Sequence, residues 1–265
     1  MKTQYTVSPA VVDWIINQVG SSETLIDPLN SLKEWKDGVK SPTFNEIQKM
    51  SQKTHIPLGY FFLTKPPEEK IELLKYRTIA SEEFEKPSRE LVDTITNMEQ
   101  IVEWTSTHLQ TENSEPNPIV GELKGQTDSQ TIANFIRVTL GLSLNWFEQT
   151  ETPFNYLRKK ISATGVIVMM NGVVRNNTHR TLDINEFRAF TIIDQFSPLI
   201  FINATDSAGG RLFSLLHEFA HICLGTNNLF NDRHATTRVE TICNAVTAEI
   251  LVPTALFDAK WESFG

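Results

Sequence analysis

Two histidines and a glutamate interrupt an apolar run, Leu212-Phe213-Ser214-Leu215-Leu216-His217-Glu218-Phe219-Ala220-His221-Ile222-Cys223-Leu224. Strongly polar side chains are costly in such surroundings unless something binds them. Residues four apart share one face of an α-helix, so the imidazoles of His217 and His221 can converge on a single cation. Glu218 sits beside the pair, rotated by one residue. In this H-E-x-x-H spacing a zinc ion polarises its bound water and the glutamate takes the water's proton.

A catalytic zinc needs a third protein ligand and keeps a fourth position open. Glu240, on the later stretch Val239-Glu240-Thr241-Ile242-Cys243-Asn244-Ala245-Val246, is the preferred donor, and Asn244, one turn on, is placed to orient a ligand. Glu249, on a different face of that stretch, and Asp232 and His234, in the loop between, stay open as alternatives. The chemistry expected is metal-assisted hydrolysis of a peptide bond. The ion brings the pKa of its water toward about 7, and Glu218 accepts the proton and later delivers it to the leaving amine. His234, Arg238 and Arg188 are weak candidates for the oxyanion partner. Cys223 lies about 200° around the helix from His221 and, like Cys243, reads as a small buried apolar side chain.

The elements that must position these residues can be read from periodicity and punctuation. The first sixty residues suggest several short helices: Pro9 to Val19, a second capped by Ser21, Ser22 or Glu23, a third from Leu29 to Trp35, and a fourth opened by the capping box of Thr43 and Glu46 and running to His55 before Pro57. Lys65-Pro66-Pro67-Glu68-Glu69 reads as a boundary. Helices are expected from Arg89 to Gln110, Asp128 to Leu140 and Pro153 to Ser162. The period then changes. Gly165 to Met170, Phe187 to Asp194 and Pro198 to Asn203 are short and β-branched, as strands are. Two closing helices are expected, Arg211 to Leu224 and Thr237 to Leu251, the second stopped by Pro253. Trp35, Trp104 and Trp146 are assigned to packing.

The 265 residues, 40% of them apolar, suffice for one large domain or two modest ones. A net charge of -8 argues against broad phosphate-driven nucleic-acid binding and confines any DNA contact to a local face. Met1 to Ala10 shows no basic segment followed by an apolar run, no stretch reaches the roughly 18 apolar residues of a membrane span, and two cysteines give no disulfide framework. The expectation is a cytoplasmic protein.

Several separated segments agree, in order, with one family. Thr178-His179-Arg180, Phe187-Arg188-Ala189-Phe190, Pro198-Leu199-Ile200-Phe201-Ile202-Asn203, His217-Glu218-Phe219-Ala220-His221, Glu240-Thr241-Ile242-Cys243-Asn244 and Leu251-Val252-Pro253 resemble the ImmA/IrrE metallo-endopeptidases. The resemblance implies zinc at His217, His221 and Glu240 and catalysis by Glu218. It also implies a protein substrate, a helix-turn-helix transcriptional repressor whose cleavage releases phage, mobile-element or stress-response genes. In the first half, Trp35-Lys36-Asp37-Gly38, Ser41-Pro42-Thr43 and Ile56-Pro57-Leu58-Gly59-Tyr60-Phe61-Phe62-Leu63 look like the Xre-type helix-turn-helix region found ahead of the peptidase. DNA contact through residues 1–65 would follow, although Asp27 to Trp35 offers few side chains that address base edges.

The fold expected is α+β: a small all-α helix-turn-helix-like module (1–65), a helical connector (66–120) and a zincin-like metallopeptidase domain (121–265) in which a small sheet backs the H-E-x-x-H helix. A rival from another class is a DNA- or protein-binding regulator, such as one half of a toxin-antitoxin pair, with a structural or vestigial zinc site.

Overall fold

Leu199-Ile200-Phe201-Ile202 is apolar at consecutive positions, which suits a strand covered on both faces. The computed structural model, which describes residues 3–19, 26–68, 87–226 and 233–262, places this run at the centre of a three-stranded sheet, with every residue of the strand buried. That strand, β5 (Leu199–Asn203), lies parallel to β1 (Ile167–Asn171) and antiparallel to β4 (Ala189–Ile192), in the order β1-β5-β4. A separate two-stranded hairpin, β2 (Val173–Val174) with β3 (Asn177–Thr181), follows β1.

Alternation along each strand divides the side chains between two cores. Leu199 and Phe201 of β5, with Phe190 and Ile192 of β4, meet Leu91, Ile95, Met98 and Val102 of the long helix α4 (Arg89–Thr111). Phe190 stacks on Phe201 with ring centroids 5.1 Å apart. Ile200 and Ile202 face the other way, into a larger core supplied by α5 (Ser129–Leu140), α6 (Pro153–Ser162), α7 (Ala208–Leu224) and α8 (Arg233–Leu251). The sheet is thus the middle layer, and the helix carrying His217 and His221 packs on one side of it.

By contact density the chain forms two units, residues 1–70 with 84–89, and residues 71–83 with 90–265. The first is helical apart from one isolated bridge, Gln4 to Thr43. Its core joins Val11, Val12 and Ile15 of α1 (Pro9–Val19), Leu32 and Trp35 of α2 (Ile26–Lys36), Ile47 and Met50 of α3 (Phe44–Thr54), and Phe61. The capping box opens α3 as expected: the Thr43 backbone N–H donates to Glu46 Oε2 at 2.8 Å, and Glu46 N–H to Thr43 Oγ1 at 3.4 Å. The architecture is therefore a helical amino-terminal module followed along the chain by a mixed α+β unit, as expected from the sequence.

Four expectations are corrected. The hairpin β2-β3 and a final helix, α9 (Thr254–Glu262), were not foreseen. Trp35 and Trp146 are buried, but Trp104 is 71% exposed and stacks on His108, because it falls about 200° from Val102, on the outer face of α4. Both helices of the site start earlier than predicted, α7 at Ala208 and α8 at Arg233. The expected capping residues Ser21, Ser22 and Glu23 lie outside the described residues. Among those described, no helix is long and apolar enough to cross a membrane.

Candidate metal centre

Ser207 starts α7, its hydroxyl accepting the N–H of Gly210 at 3.0 Å. Leu215, Leu216, Phe219, Ala220, Ile222 and Cys223 are fully buried and fix the rotation of the helix. That rotation leaves His217 and His221 side by side, with ring centroids 4.8 Å apart. α8 packs against α7 through Cys243, Val246 and Ile250, and this brings Glu240, one turn before Cys243, to the two rings.

The donor atoms converge. Nε2 of His217 and Nε2 of His221 are 3.1 Å apart, Glu240 Oε2 is 3.1 Å from His217 Nε2, and Glu240 Oε1 is 3.3 Å from His221 Nε2. Among the described residues, these three form the one group of histidine, cysteine and acidic side chains close enough to hold a metal ion. Whether they suit one can be judged from the donors themselves. Four ligands at 2.0 to 2.1 Å in a tetrahedron are separated by about 3.3 Å, which is the spacing of this trio, and two imidazoles with a carboxylate are a zinc-type donor set. The fit is good.

Electrostatics agree with the geometry. At His217 burial is the largest influence and opposes charge, but the Glu240 hydrogen bond, the Glu218 and Glu240 charges and the Asn244 side chain outweigh it, so its pKa is raised. At Glu240 burial favours the neutral acid, yet the hydrogen bonds from His217 and His221 hold the carboxyl well below the usual carboxylate range. The site is electronegative and keeps its carboxylate ionised, as a cation requires.

The supports of the two rings differ. Nδ1 of His221 lies 3.2 Å from Thr226 Oγ1, within hydrogen-bond reach, and with a cation on Nε2 the ring proton would sit on Nδ1 and be donated there. Nδ1 of His217 is buried and meets no hydrogen-bond partner among the described residues. The end of α7 is held by Gly225, whose N–H reaches the carbonyls of His221 and Ile222, and by Gly121 and Leu123, whose N–H groups bond Ile222 and Cys223 at 3.0 and 2.9 Å. Glu218 is placed by the sheet, since Thr191 Oγ1 of β4 donates to its Oε2 at 2.7 Å. Thr191 and Thr226 are polar contacts that no spacing or motif pairs with the site.

The alternatives fall elsewhere. Glu249 lies nine residues beyond Glu240, about 13 Å along the axis. Its carboxylate pairs with Arg137, which is only 6% exposed, and accepts the N–H and hydroxyl of Thr254 at the start of α9. Asp232 and the His234 side chain lie outside the described residues. Arg188 is engaged by Asp206 at 3.0 Å, and Arg238 is exposed. Cys223 and Cys243 are free and buried, and burial pushes both thiols upward, as inert core residues.

Neither a curated protein nor a solved structure matches the chain. Residues 166–265 match the family model of the IrrE N-terminal-like domain, Peptidase M78. That stretch runs from β1 to the end of the chain and includes His217, Glu218, His221 and Glu240, so this part of the chain is similar to the ImmA/IrrE peptidases.

Proposed function

We propose that the protein is a zinc-dependent endopeptidase in which His217, His221 and Glu240 hold the ion and Glu218 is the general base. The observation that carries this reading is the convergence of three ligand atoms within 4.8 Å of one another, with a glutamate adjacent in sequence to one of them. A divalent ion held there would polarise a water and a peptide carbonyl. The protein's own groups do the rest. The Glu218 carboxylate takes a proton from the attacking water and returns it to the nitrogen of the leaving amine, so that water adds across the peptide bond and no proton is lost. Glu240, itself ionised, would offset the charge of a bound ion, and Thr226 would set the tautomer of His221.

The substrate proposed is a helix-turn-helix repressor, on the likeness to ImmA/IrrE alone. The compartment proposed is the cytoplasm, in keeping with two cysteines that are buried and unpaired. The test is Glu218→Gln in the full chain. Both it and the wild type should bind about one zinc per chain, and it should lose, by at least about a hundredfold, the cleavage of a neighbouring-gene repressor expected of the wild type. Cleavage retained by Glu218→Gln would remove the general-base assignment.

A further inference from the structure

A glutamate near a helix surface has three rotatable bonds and populates several rotamers unless something fixes it. A general base must hold one carboxylate oxygen within about 2.6 to 3.2 Å of the proton it takes. At Glu218 the fixing group is on another element. Thr191 donates from Oγ1 to Glu218 Oε2 at 2.7 Å, while the same oxygen is 3.4 Å from the Glu218 carbonyl.

We propose that Thr191 is a positioning residue for Glu218: its hydroxyl pins one carboxylate oxygen and leaves the other, Oε1, to take the proton. The inference rests on the peptidase reading for the role of Glu218, but the placement of the carboxylate can be tested apart from it.

Three features of β4 make Thr191 a rigid donor. Its backbone is fixed in register opposite Ile200 of the fully buried central strand. Its neighbours Phe190 and Ile192 pack into the core under α4, so alternation turns Thr191 to the opposite face, toward α7. Its β-branched side chain also restricts χ1. The residues that share this face, Ala189 and Ile193, pack as apolar side chains into the larger core. A hydroxyl in that row has no packing advantage over valine, which favours strands more strongly. Its use is the bond to Glu218.

A purely structural role, tying α7 to the sheet, makes a different prediction, and three forms of the full chain separate the two. Wild type, Thr191→Val and Thr191→Ser are each loaded with zinc and assayed for metal content, melting temperature, crystal structure, and kcat and KM on the best-cleaved member of an internally quenched peptide library. Positioning predicts that Thr191→Val holds the wild-type zinc content and melts within about 2 °C of wild type. Its kcat falls about a hundredfold at unchanged KM, as for a misplaced catalytic group. In its crystal structure the Glu218 carboxylate leaves its wild-type position. Thr191→Ser, which keeps the hydroxyl, restores both the position and most of kcat.

Wild-type kcat in Thr191→Val, or a Glu218 side chain that stays in place there, overturns the inference. So does a loss of activity matched by loss of zinc or of melting temperature and not rescued by serine. If the wild type cleaves no peptide of the library, the peptidase reading fails. The position of Glu218 in the Thr191→Val crystal then still decides the inference, displacement upholding it and an unmoved carboxylate refuting it.

Discussion

Gly225→Ala should damage the centre from outside it. Gly225 has φ of +58° at the left-handed cap of α7, and a Cβ there would sit 2.6 Å from Gly121 Cα and 3.3 Å from Gly121 N. Both neighbours are backbone atoms, so relief requires a chain segment to move. The left-handed conformation costs a residue with a Cβ about 1 kcal/mol, and forcing an extra carbon into packed structure adds about 2 kcal/mol. The sum is about 3 kcal/mol, which for a unit of this size lowers the melting temperature by roughly 6 to 12 °C. Gly125, with φ of +84° and nothing within 4 Å of its Cβ position, supplies the control, because Gly125→Ala carries the conformational part alone. Differential scanning calorimetry of both variants, with zinc and with chelator, isolates the contact with Gly121. Displacement of the α7 end also disturbs His221, whose carbonyl accepts the Gly225 N–H and whose ring bonds Thr226, so zinc affinity should fall in the first variant and hold in the second. If Gly225→Ala melts no lower than Gly125→Ala, the close approach does not support the centre and the reasoning fails.

Other expectations concern protons and caps. Without metal, the charged form of His217, whose pKa is raised, contributes stability that is full below about pH 6.5 and lost as pH rises through the folded value, whereas Glu240, whose pKa is lowered, contributes above about pH 4.3 and loses it as pH falls through the folded value. Urea midpoints of the metal-free protein should therefore peak between those limits and flatten in Glu240→Gln; an unchanged profile in the variant would refute the pairing. Zinc binding runs the other way, since below the raised pKa of His217 one proton must leave that ring for each ion bound, weakening the apparent Kd about tenfold per pH unit; a pH-independent chelator competition would contradict this. In the amino-terminal unit Thr43→Ala should cost about 1 kcal/mol by thermal melting. Glu46 is held down to about 2, by Lys40 first and then by Thr43, so this capping contribution is present above its ordinary range and lost as pH falls through that value. A variant as stable as wild type at neutral pH would show that the cap contributes nothing.

Much of this molecule can be read from spacing because its signals are local. Polar residues at positions 217, 218 and 221 of an apolar helix identify themselves, and the uninterrupted Leu199 to Ile202 run marks a strand with two covered faces. The hairpin was invisible for the opposite reason. Asn177 to Thr181 is polar and largely exposed, so no alternation in hydrophobicity records its pairing. Pro253 is legible as the stop of α8, but proline is also tolerated where a helix begins, and α9 starts directly after it. Residue type alone suggests packing for Trp104, whereas its place on α4 decides its exposure. Glu240 was preferred to Glu249 on its place along the helix, and the buried Arg137 that engages Glu249 could not be foreseen. Thr191 and Thr226 illustrate the same limit. A threonine becomes part of a site only through the packing of two elements, and one sequence carries no mark of the pair.

Metal content measures the central claim most directly. Wild-type protein incubated with zinc and dialysed should retain about one zinc per chain by mass spectrometry, and His217→Ala and Glu240→Ala should each retain almost none. A wild type that holds no zinc, or a Glu240→Ala variant that holds it as tightly as wild type, would contradict the account.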